Sequence, residues 1–167
     1  MVEKRIFNKE AFELYFHKIT EYSLDLSHID KWDVIEYIPD SIIDISLDYS
    51  SVKEIRHIPP NVQHISISYT DIDELPALPS SLITLDCDGA PITNLPDLPA
   101  SLQVLRCEDT LLCDIPDLPD QMAVLSLKNS YLPVWMQVTL YGVEDINEFS
   151  SKVNTYRRLD DFLSKLD

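Results

Sequence analysis

Several features that mark particular classes of protein are missing from this sequence of 167 residues. No apolar run approaches the roughly 18 residues of a membrane-spanning helix. The first residues, MVEKRIFNKEAFELYF, lack the apolar segment of a secretory signal peptide. Only three cysteines occur, without a pairing pattern, which is typical of a reducing compartment. We therefore predict a chain that is made in the cytoplasm and does not insert into membranes.

Basic residues are also scarce. Thirteen Lys and Arg stand against 29 Asp and Glu, so the formal net charge is −16. Nucleic acids and anionic membranes attract positively charged proteins, and this balance argues against both as partners. The acidity favours a protein partner with a basic surface, although it is equally a means of keeping a protein soluble.

Signatures of chemistry are absent as well. The sequence contains no G-x-S-x-G, no H-E-x-x-H and no glycine-rich phosphate loop. The four histidines (His17, His28, His57 and His64) are scattered and lack the spacing of metal ligands. We predict no catalytic site, no metal site and no cofactor.

What the sequence does contain is one twenty-residue pattern, repeated. LPSSLITLDCDGAPITNLPD spans Leu78–Asp97, and LPASLQVLRCEDTLLCDIPD spans Leu98–Asp117. The same register extends in both directions, with a proline at every twentieth position: Pro39, Pro59, Pro79, Pro99 and Pro119. Apolar positions keep the same period, for example Ile45, Ile65, Leu85, Leu105 and Leu125, and two residues later Leu47, Ile67, Cys87, Cys107 and Leu127. Five copies in one register predict a solenoid.

Each copy predicts a strand and an extended return. The L-x-x-L-x-[LIC] core alternates with period two, which indicates a short strand with one buried face. The return, I-x-x-[LI]-P-x-L-P, carries paired prolines that exclude helix. Stacked copies predict a leucine-rich repeat solenoid with six or seven short parallel strands on its concave face, proline-rich convex returns and a helical cap at each end.

We predict one domain over residues 1–167. Asn8 is expected to cap a helix from Lys9 to Tyr22, with Ala11, Phe12, Tyr15, Phe16 and Ile19 on its packing side. A second helix is predicted from Glu148, where Phe149, Val153, Tyr156, Leu159, Leu163 and Leu166 recur at helical spacing. The parts are an N-terminal cap (1–22), an irregular first repeat (23–37), five regular repeats (38–137), and a last strand with a C-terminal cap (138–167).

The pattern LPxLPxxLxxLxxxxxxLxxLP, seen in Leu75–Pro96, resembles the short-repeat bacterial leucine-rich proteins, the family of YopM and of the repeat domains of IpaH ubiquitin ligases. The resemblance covers residues 38–135. It implies a bacterial source, protein binding and delivery into a host cell by a route without a Sec signal. The family's asparagine in the turn after the strand is replaced by Ser50, Thr70, Ala90, Thr110 and Ser130. Hydroxyls can still bond turn amides, but Ala90 cannot, so a continuous asparagine ladder is absent.

Cys107-Glu108-Asp109 matches the Cys-x-Asp motif that IpaH-type ligases use for ubiquitin transfer. Cys107, however, shares its inward position with Ile67, Cys87 and Leu127. We expect a buried thiol with a raised pKa, which is a poor nucleophile. Only about thirty residues follow the repeats, too few for that family's separate ligase domain. We therefore predict that the protein is not an enzyme.

The residues between the inward positions are expected on the concave face, in ladders about 4.8 Å apart. The ladders are Asp44, His64, Thr84, Val104 and Val124; Ser46, Ser66, Asp86, Arg106 and Ser126; and Asp48, Ser68, Asp88, Glu108 and Lys128, with Tyr49, Tyr69, Gly89, Asp109 and Asn129 at their edge. The candidate partner-binding residues are Asp44, Asp48, Tyr49, His64, Tyr69, Asp86, Asp88, Arg106, Glu108, Asp109 and Lys128. The expectation is an acidic patch beside two exposed tyrosines; the alternative is a merely solvated face.

The favoured function is non-catalytic protein binding by a monomer. By resemblance, the protein is a secreted bacterial effector that occupies a basic host protein in the host cytosol. The alternative is an immunity or inhibitor protein that stays in the producing cell, where its acidity would neutralise a basic toxin such as a nuclease.

Overall fold

The computed structural model of the chain describes residues 4–16, 22–163 and 165. Within these residues the chain coils through short strands and ends in a helix. In chain order the elements are β1 (Ile6–Phe7), α1 (Lys9–Phe16), β2 (Ser23–Asp25), β3 (Val34–Ile35), β4 (Asp44–Ser46), β5 (Glu54–Ile55), β6 (His64–Ser66), β7 (Thr84–Asp86), β8 (Val104–Arg106), β9 (Val124–Ser126), a 3-10 turn (Val134–Met136), β10 (Thr139–Tyr141) and α2 (Val143–Leu163).

The concave sheet follows the order β2-β4-β6-β7-β8-β9-β10. From β4 to β9 the strands are parallel and pair at intervals of twenty residues, so that Leu85 lies opposite Ile65 on one side and Leu105 on the other. Strand β2 is parallel too but pairs at an interval of 21, with Leu24 opposite Ile45. The predicted leucine-rich repeat solenoid is confirmed, and its first repeat contains the one extra residue.

The seventh strand of this sheet differs in direction. β10 runs antiparallel to β9, with Leu140 opposite Leu125. Residues 127–138 connect these two strands, whereas the longer return 47–63 connects β4 to β6. The short connection turns back through the 3-10 turn after Pro133, so the chain re-enters the sheet from the opposite end.

A continuous apolar core lies behind the sheet. The inward strand positions are fully or almost fully buried in every repeat, and the first apolar position of each return, such as Ile92 or Leu112, is buried against them. Each buried leucine or isoleucine touches its equivalents in the neighbouring repeats. Such a core needs several stacked copies, because one copy cannot bury its own apolar face.

The first two returns form a second, smaller sheet, which the repeat pattern did not predict. Strands β3 and β5 pair in parallel with each other and with β1. Arg56 N–H donates to Ile35 O at 2.9 Å. The equivalent position in the next three repeats is proline (Pro76, Pro96 and Pro116), which has no N–H to donate. The pairing therefore ends where the second proline enters the repeat.

Helix α1 begins at Lys9 as predicted. Ala11 N–H donates to Asn8 Oδ1 at 2.9 Å, which is N-cap geometry. Phe12 packs edge-on against the rings of Phe7 and Tyr37. The predicted continuation over residues 17–21, including Ile19, lies outside the described residues, as do the side chains of Tyr15 and Phe16.

Helix α2 begins five residues earlier than predicted, at Val143 rather than Glu148. Glu144 and Asp145 lie in its first turn, where negative charge favours a helix N-terminus. Ile146, Phe149 and Val153 are buried against the last repeat. Two other residues of the predicted packing side, Tyr156 and Leu159, are exposed, because Ile146 supplies the additional contact one turn earlier. Leu166 lies outside the described residues, as does the side chain of Leu163.

Candidate functional site

The concave face carries the predicted residues in the expected register. Strand pairing aligns Asp44 with His64, and Asp86 with Arg106. His64 Nε2 lies 4.0 Å from Asp44 Oδ1, and Arg106 Nη1 lies 3.8 Å from Asp86 Oδ2. Asp48, Asp88, Glu108 and Lys128 follow the strands, and Tyr49, Tyr69 and Asp109 come next in the turns. The structure thus brings these side chains to one face and its adjoining edge.

Carboxylates on this face accept hydrogen bonds from neighbouring repeats. Asp48 Oδ1 accepts from Ser66 Oγ at 2.6 Å and from Ser68 N–H at 2.8 Å. Asp86 Oδ1 accepts from Ser68 Oγ at 2.8 Å. These carboxylates are therefore held in fixed positions between repeats rather than free in solvent.

The same arrangement continues toward the C-terminal cap. Asp88 Oδ1 accepts from Glu108 N–H at 2.6 Å. Glu108 Oε1 accepts from Ser126 Oγ and, at 3.2 Å, from Thr139 Oγ1. We call Asp48, Asp86, Asp88 and Glu108 the carboxylate row. The sequence showed these residues only as solvent-facing, yet the serines in the neighbouring copies were the signal that their oxygens have partners.

Asp88 is the most perturbed member of the carboxylate row. Burial raises its pKa to about 6, and the charges of Asp86 and Glu108 act in the same direction. The hydrogen bond from Glu108 N–H and the charge of Arg106 oppose this rise. Unfolding returns the pKa of this carboxyl to its ordinary value of 3.8. Between these two values the folded protein binds more protons at Asp88 than the unfolded chain does.

We expect the stability of the wild type to fall as pH rises from about 4 to about 6, and Asp88→Asn to abolish this fall. The sign follows from the raised pKa, because the unfolded chain ionises first and its ionisation favours unfolding. Asn keeps the oxygen that accepts from Glu108 N–H. Urea unfolding at pH 4 and pH 7 measures the effect, with exposed Asp97→Asn as the control. A wild type and an Asp88→Asn variant with identical pH dependence would contradict the assignment.

An aromatic column runs along the edge of the concave face. The rings of His28 and Tyr49 are stacked with centroids 5.1 Å apart and an interplanar angle of 4°. Tyr49 and Tyr69 follow at 4.9 Å and 9°. We call His28, Tyr49 and Tyr69 the aromatic column. His28 was not among the predicted site residues, because the irregular first repeat shifts it by one position.

Each residue of the aromatic column has a left-handed backbone, with φ between 55° and 59°. Asp109 and Asn129 share this conformation farther along the edge, and Asn129 Nδ2 donates to Asp109 Oδ1 at 2.9 Å. Bulky residues seldom adopt a positive φ, so tyrosine here is unusual. This position lies in the turn that follows the strand, and its backbone has the same left-handed conformation in each of these repeats.

Gly89 ends the aromatic column. Its φ is 69°, and a Cβ at this position would lie 2.5 Å from Tyr69 Cδ1. The ring of Tyr69 therefore rests directly on the backbone of the next repeat. Only glycine leaves room for this contact without moving the ring.

Three of the four hydroxyls that stand in place of the family's asparagine bond a carbonyl of their own turn, whereas the buried Ser50 Oγ has no hydrogen-bond partner among the described residues. Thr70 Oγ1 donates to Ile67 O at 2.8 Å, and Thr110 Oγ1 donates to Cys107 O at 3.0 Å. Ser130 makes the equivalent bond. The expected bonds to turn amides are mostly replaced by bonds to carbonyls; Ile72 N–H, at 3.4 Å from Thr70 Oγ1, is the remaining amide contact of this kind in the described residues.

The cysteine motif behaves as a structural element. Cys107 is fully buried in contact with the Cys87 sulfur, and burial raises the pKa of its thiol. A raised pKa leaves little thiolate to attack a substrate. The prediction that Cys107 is buried with a raised thiol pKa is confirmed. Cys113 is exposed, and the described residues contain no cluster of His, Cys, Asp and Glu that would hold a metal ion.

A groove of about 820 Å³ lies on the side of the first returns. Glu54 in this groove binds Lys4 at 2.9 Å and Arg56 at 3.3 Å, so part of its charge is compensated internally. On the concave face carboxylates outnumber cations, and this face is the better candidate site. In the described part of the chain no helix combines the length and the apolar character that a bilayer crossing requires.

These features define the class: a capped leucine-rich repeat solenoid. No protein-family model matches the chain, and no curated protein sequence matches it significantly. Among solved structures, YopM from Yersinia enterocolitica WA-314 is similar over 59% of this chain and 22% of its own, with 24% identity and a TM-score of 0.57.

The leucine-rich repeat domain of a Shigella effector is similar over 67% of this chain and 51% of its own, with 22% identity and a TM-score of 0.64. The chain thus spans about a fifth and about half of these two structures. At these identities the likeness shows a common fold. The resemblance read from the LPxLP pattern is confirmed at that level.

Proposed function

We propose that this protein is a non-catalytic binding module that engages a basic protein through its acidic concave face. The observation that carries the proposal is the carboxylate row on a rigid sheet. Carboxylates dominate the candidate residues, Asp44, Asp48, Asp86, Asp88, Glu108 and Asp109, with Arg106 and Lys128 as their cationic neighbours and His64 and the tyrosines Tyr49 and Tyr69 completing the surface. Residues 38–137 contain fifteen acids and four bases, so the repeats carry most of the net charge.

The fixed geometry of the carboxylate row supports binding. Oxygens held by Ser66, Ser68 and Ser126 lose little freedom when a partner arrives, and this lowers the entropic cost of association. These bonds engage one oxygen of each carboxylate, so the second oxygens of Asp48, Asp88 and Glu108 can meet an incoming cation, whereas that of Asp86 faces Arg106 at 3.8 Å. Charge of one sign also speeds encounter with a basic surface at low salt.

The protein is further proposed to be a bacterial effector that acts inside a host cell. Two similar structures support this: one is YopM, and the other is described as a Shigella effector domain. A reporter fused to the chain tests it, by detecting arrival in the host cytosol from bacteria with and without a functional secretion system. Arrival that is independent of the secretion system, or no arrival, would contradict the effector role.

Neutralisation of charge on the concave face tests the binding role. Asp86→Asn, Asp88→Asn and Asp109→Asn together remove three charges while keeping one side-chain oxygen of each residue as an acceptor. The control is Asp73→Asn, Asp97→Asn and Asp120→Asn, which removes three exposed charges from the returns. Proteins captured from host lysate and from bacterial lysate are compared by quantitative mass spectrometry, and the partner is then titrated by calorimetry.

We expect the concave variant to bind its partner more than about tenfold more weakly, whereas the control keeps wild-type affinity. Wild-type binding should weaken as salt rises, since screening acts over roughly 8 Å at physiological ionic strength. Equal affinity of the concave variant and the control would refute binding through this face. A partner found only in the bacterial lysate would favour the inhibitor role, which the net charge of −16 also fits.

A further inference from the structure

The aromatic column combines exposure with order. Tyr49 and Tyr69 are 53% and 49% exposed, although each ring is stacked on its neighbours. Exposed tyrosines usually rotate among conformers, and a protein that holds them gains rigid contact area. The core of the solenoid does not need them, because the inward positions of the same repeats are already filled.

Three contacts fix the column in place. Tyr49 N–H donates to Ser68 O at 2.9 Å, and Tyr69 N–H donates to Asp88 O at 2.8 Å. The last ring rests on the Gly89 backbone. The column is therefore bound at its base and at its C-terminal end, which is the preorganisation that anchor residues of interfaces show.

Carboxylates surround the end of the column. The adjacent Tyr49 and burial are the largest causes that raise the pKa of Tyr69, and the charges of Asp109, Asp88 and Asp86 raise it further. These three carboxylates therefore act on this ring. A side chain that lies against the rings thus meets negative charge at the same place. Arginine fits both features, since its apolar stem can lie along the outer edges of the stacked rings and its guanidinium pairs with carboxylates through two N–H groups.

The dimensions of the column limit the length of the partner segment. The centroid distances of 5.1 and 4.9 Å make it about 10 Å from first ring to third. An extended chain advances about 3.3 Å per residue, and alternate side chains share one face. Arginines at alternate positions are therefore about 6.6 Å apart, so two of them fit within the length of the column and further alternate positions reach Asp109 beyond Gly89.

We propose that the aromatic column is the anchor for an extended segment of the partner protein that carries arginine at alternate positions. This inference rests on the proposed function and names the partner's chemistry. The arginine stems lie along the exposed half of the rings, and the guanidinium groups pair with the carboxylates at the end of the column. Lysine pairs with a carboxylate as a single point charge rather than through two N–H groups, so a lysine segment of equal charge binds more weakly.

The test uses two peptides as probes, SRSRSRSRS and SKSKSKSKS, titrated by calorimetry at low salt. The aromatic variant is Tyr49→Ala with Tyr69→Ala, and its conservative counterpart is Tyr49→Phe with Tyr69→Phe. Tyr131→Ala with Tyr141→Ala removes two exposed tyrosines elsewhere and serves as the matched control. Melting temperatures of all variants show whether each is folded.

We expect wild type to bind the arginine peptide roughly tenfold more tightly than the lysine peptide. The aromatic variant should lose that preference, because without the rings the guanidinium groups are no longer held against the carboxylates. The phenylalanine variant and the control should keep it. Unchanged arginine binding by the aromatic variant, or equal binding of both peptides by wild type, would overturn the inference.

The asparagine variant of Asp86, Asp88 and Asp109 separates the two proposals in the same titration. If it binds weakly while the aromatic variant binds normally, the anchor is refuted and the acidic face stands. If neither variant loses binding, both proposals fail. An aromatic variant that unfolds is replaced by Tyr69→Leu alone, which must show the same loss of preference.

Discussion

Leu85→Ala is expected to lower the free energy of unfolding by about 2–5 kcal/mol. Leu85 is 0% exposed and lies between Ile65 and Leu105 on the neighbouring strands. Truncation removes contacts on both sides and leaves a cavity at the centre of the solenoid, where the stacked strands have little room to close it. Urea denaturation monitored by circular dichroism measures the change.

Thr84→Ala is the matched control, because Thr84 is adjacent on the same strand and faces the concave side. Its removal should change stability by less than about 0.5 kcal/mol. The two variants differ only in which side of the strand is altered. Comparable denaturation midpoints would contradict the observed register.

The second large effect is expected at the C-terminal cap. Phe149→Ala should cost about 3–5 kcal/mol, as large aromatic truncations in cores do. Phe149 is buried against the last repeat, and its ring centroid lies 6.2 Å from that of Trp135. Without this contact α2 loses its hold on the solenoid, and the apolar end of the last repeat becomes open to water.

Leu159→Ala on the same helix is the control, since Leu159 is 56% exposed. Thermal unfolding should shift by several degrees for Phe149→Ala and by almost nothing for Leu159→Ala. Light scattering provides a second measurement, because an uncovered solenoid end favours association. A stable, monomeric Phe149→Ala protein would show that α2 is not a cap.

The fold was predictable because packing repeats itself. Positions such as Ile45, Ile65 and Leu85 touch their own equivalents, so each must be apolar and the period becomes visible. Paired prolines excluded helical returns. The second sheet was missed because the sequence shows it only through the absence of proline at Glu36 and Arg56. Charged residues on a return do not by themselves suggest a strand.

The candidate site was predictable in position but not in detail. The register placed Asp86 and Asp88 on the concave face, yet some hydrogen bonds there run diagonally between ladders, as from Ser68 Oγ to Asp86. Asp48 likewise accepts from Ser66 on the neighbouring ladder, as well as from Ser68 on its own. The stacking of Tyr49 on Tyr69 depends on a left-handed turn, which only Gly89 and the Asp and Asn after it suggested.

Because of the contact between Tyr69 and Gly89, the repeats cannot all be duplicated or deleted with the same result. A solenoid can in principle gain or lose one copy by unequal crossing-over, because the leucine positions remain in register. Here the copy that contains Tyr69 requires glycine in the copy that follows it. Loss of the copy around Gly89 would bring Asp109 under that ring, so the array can be lengthened or shortened freely only where no such dependence crosses the junction.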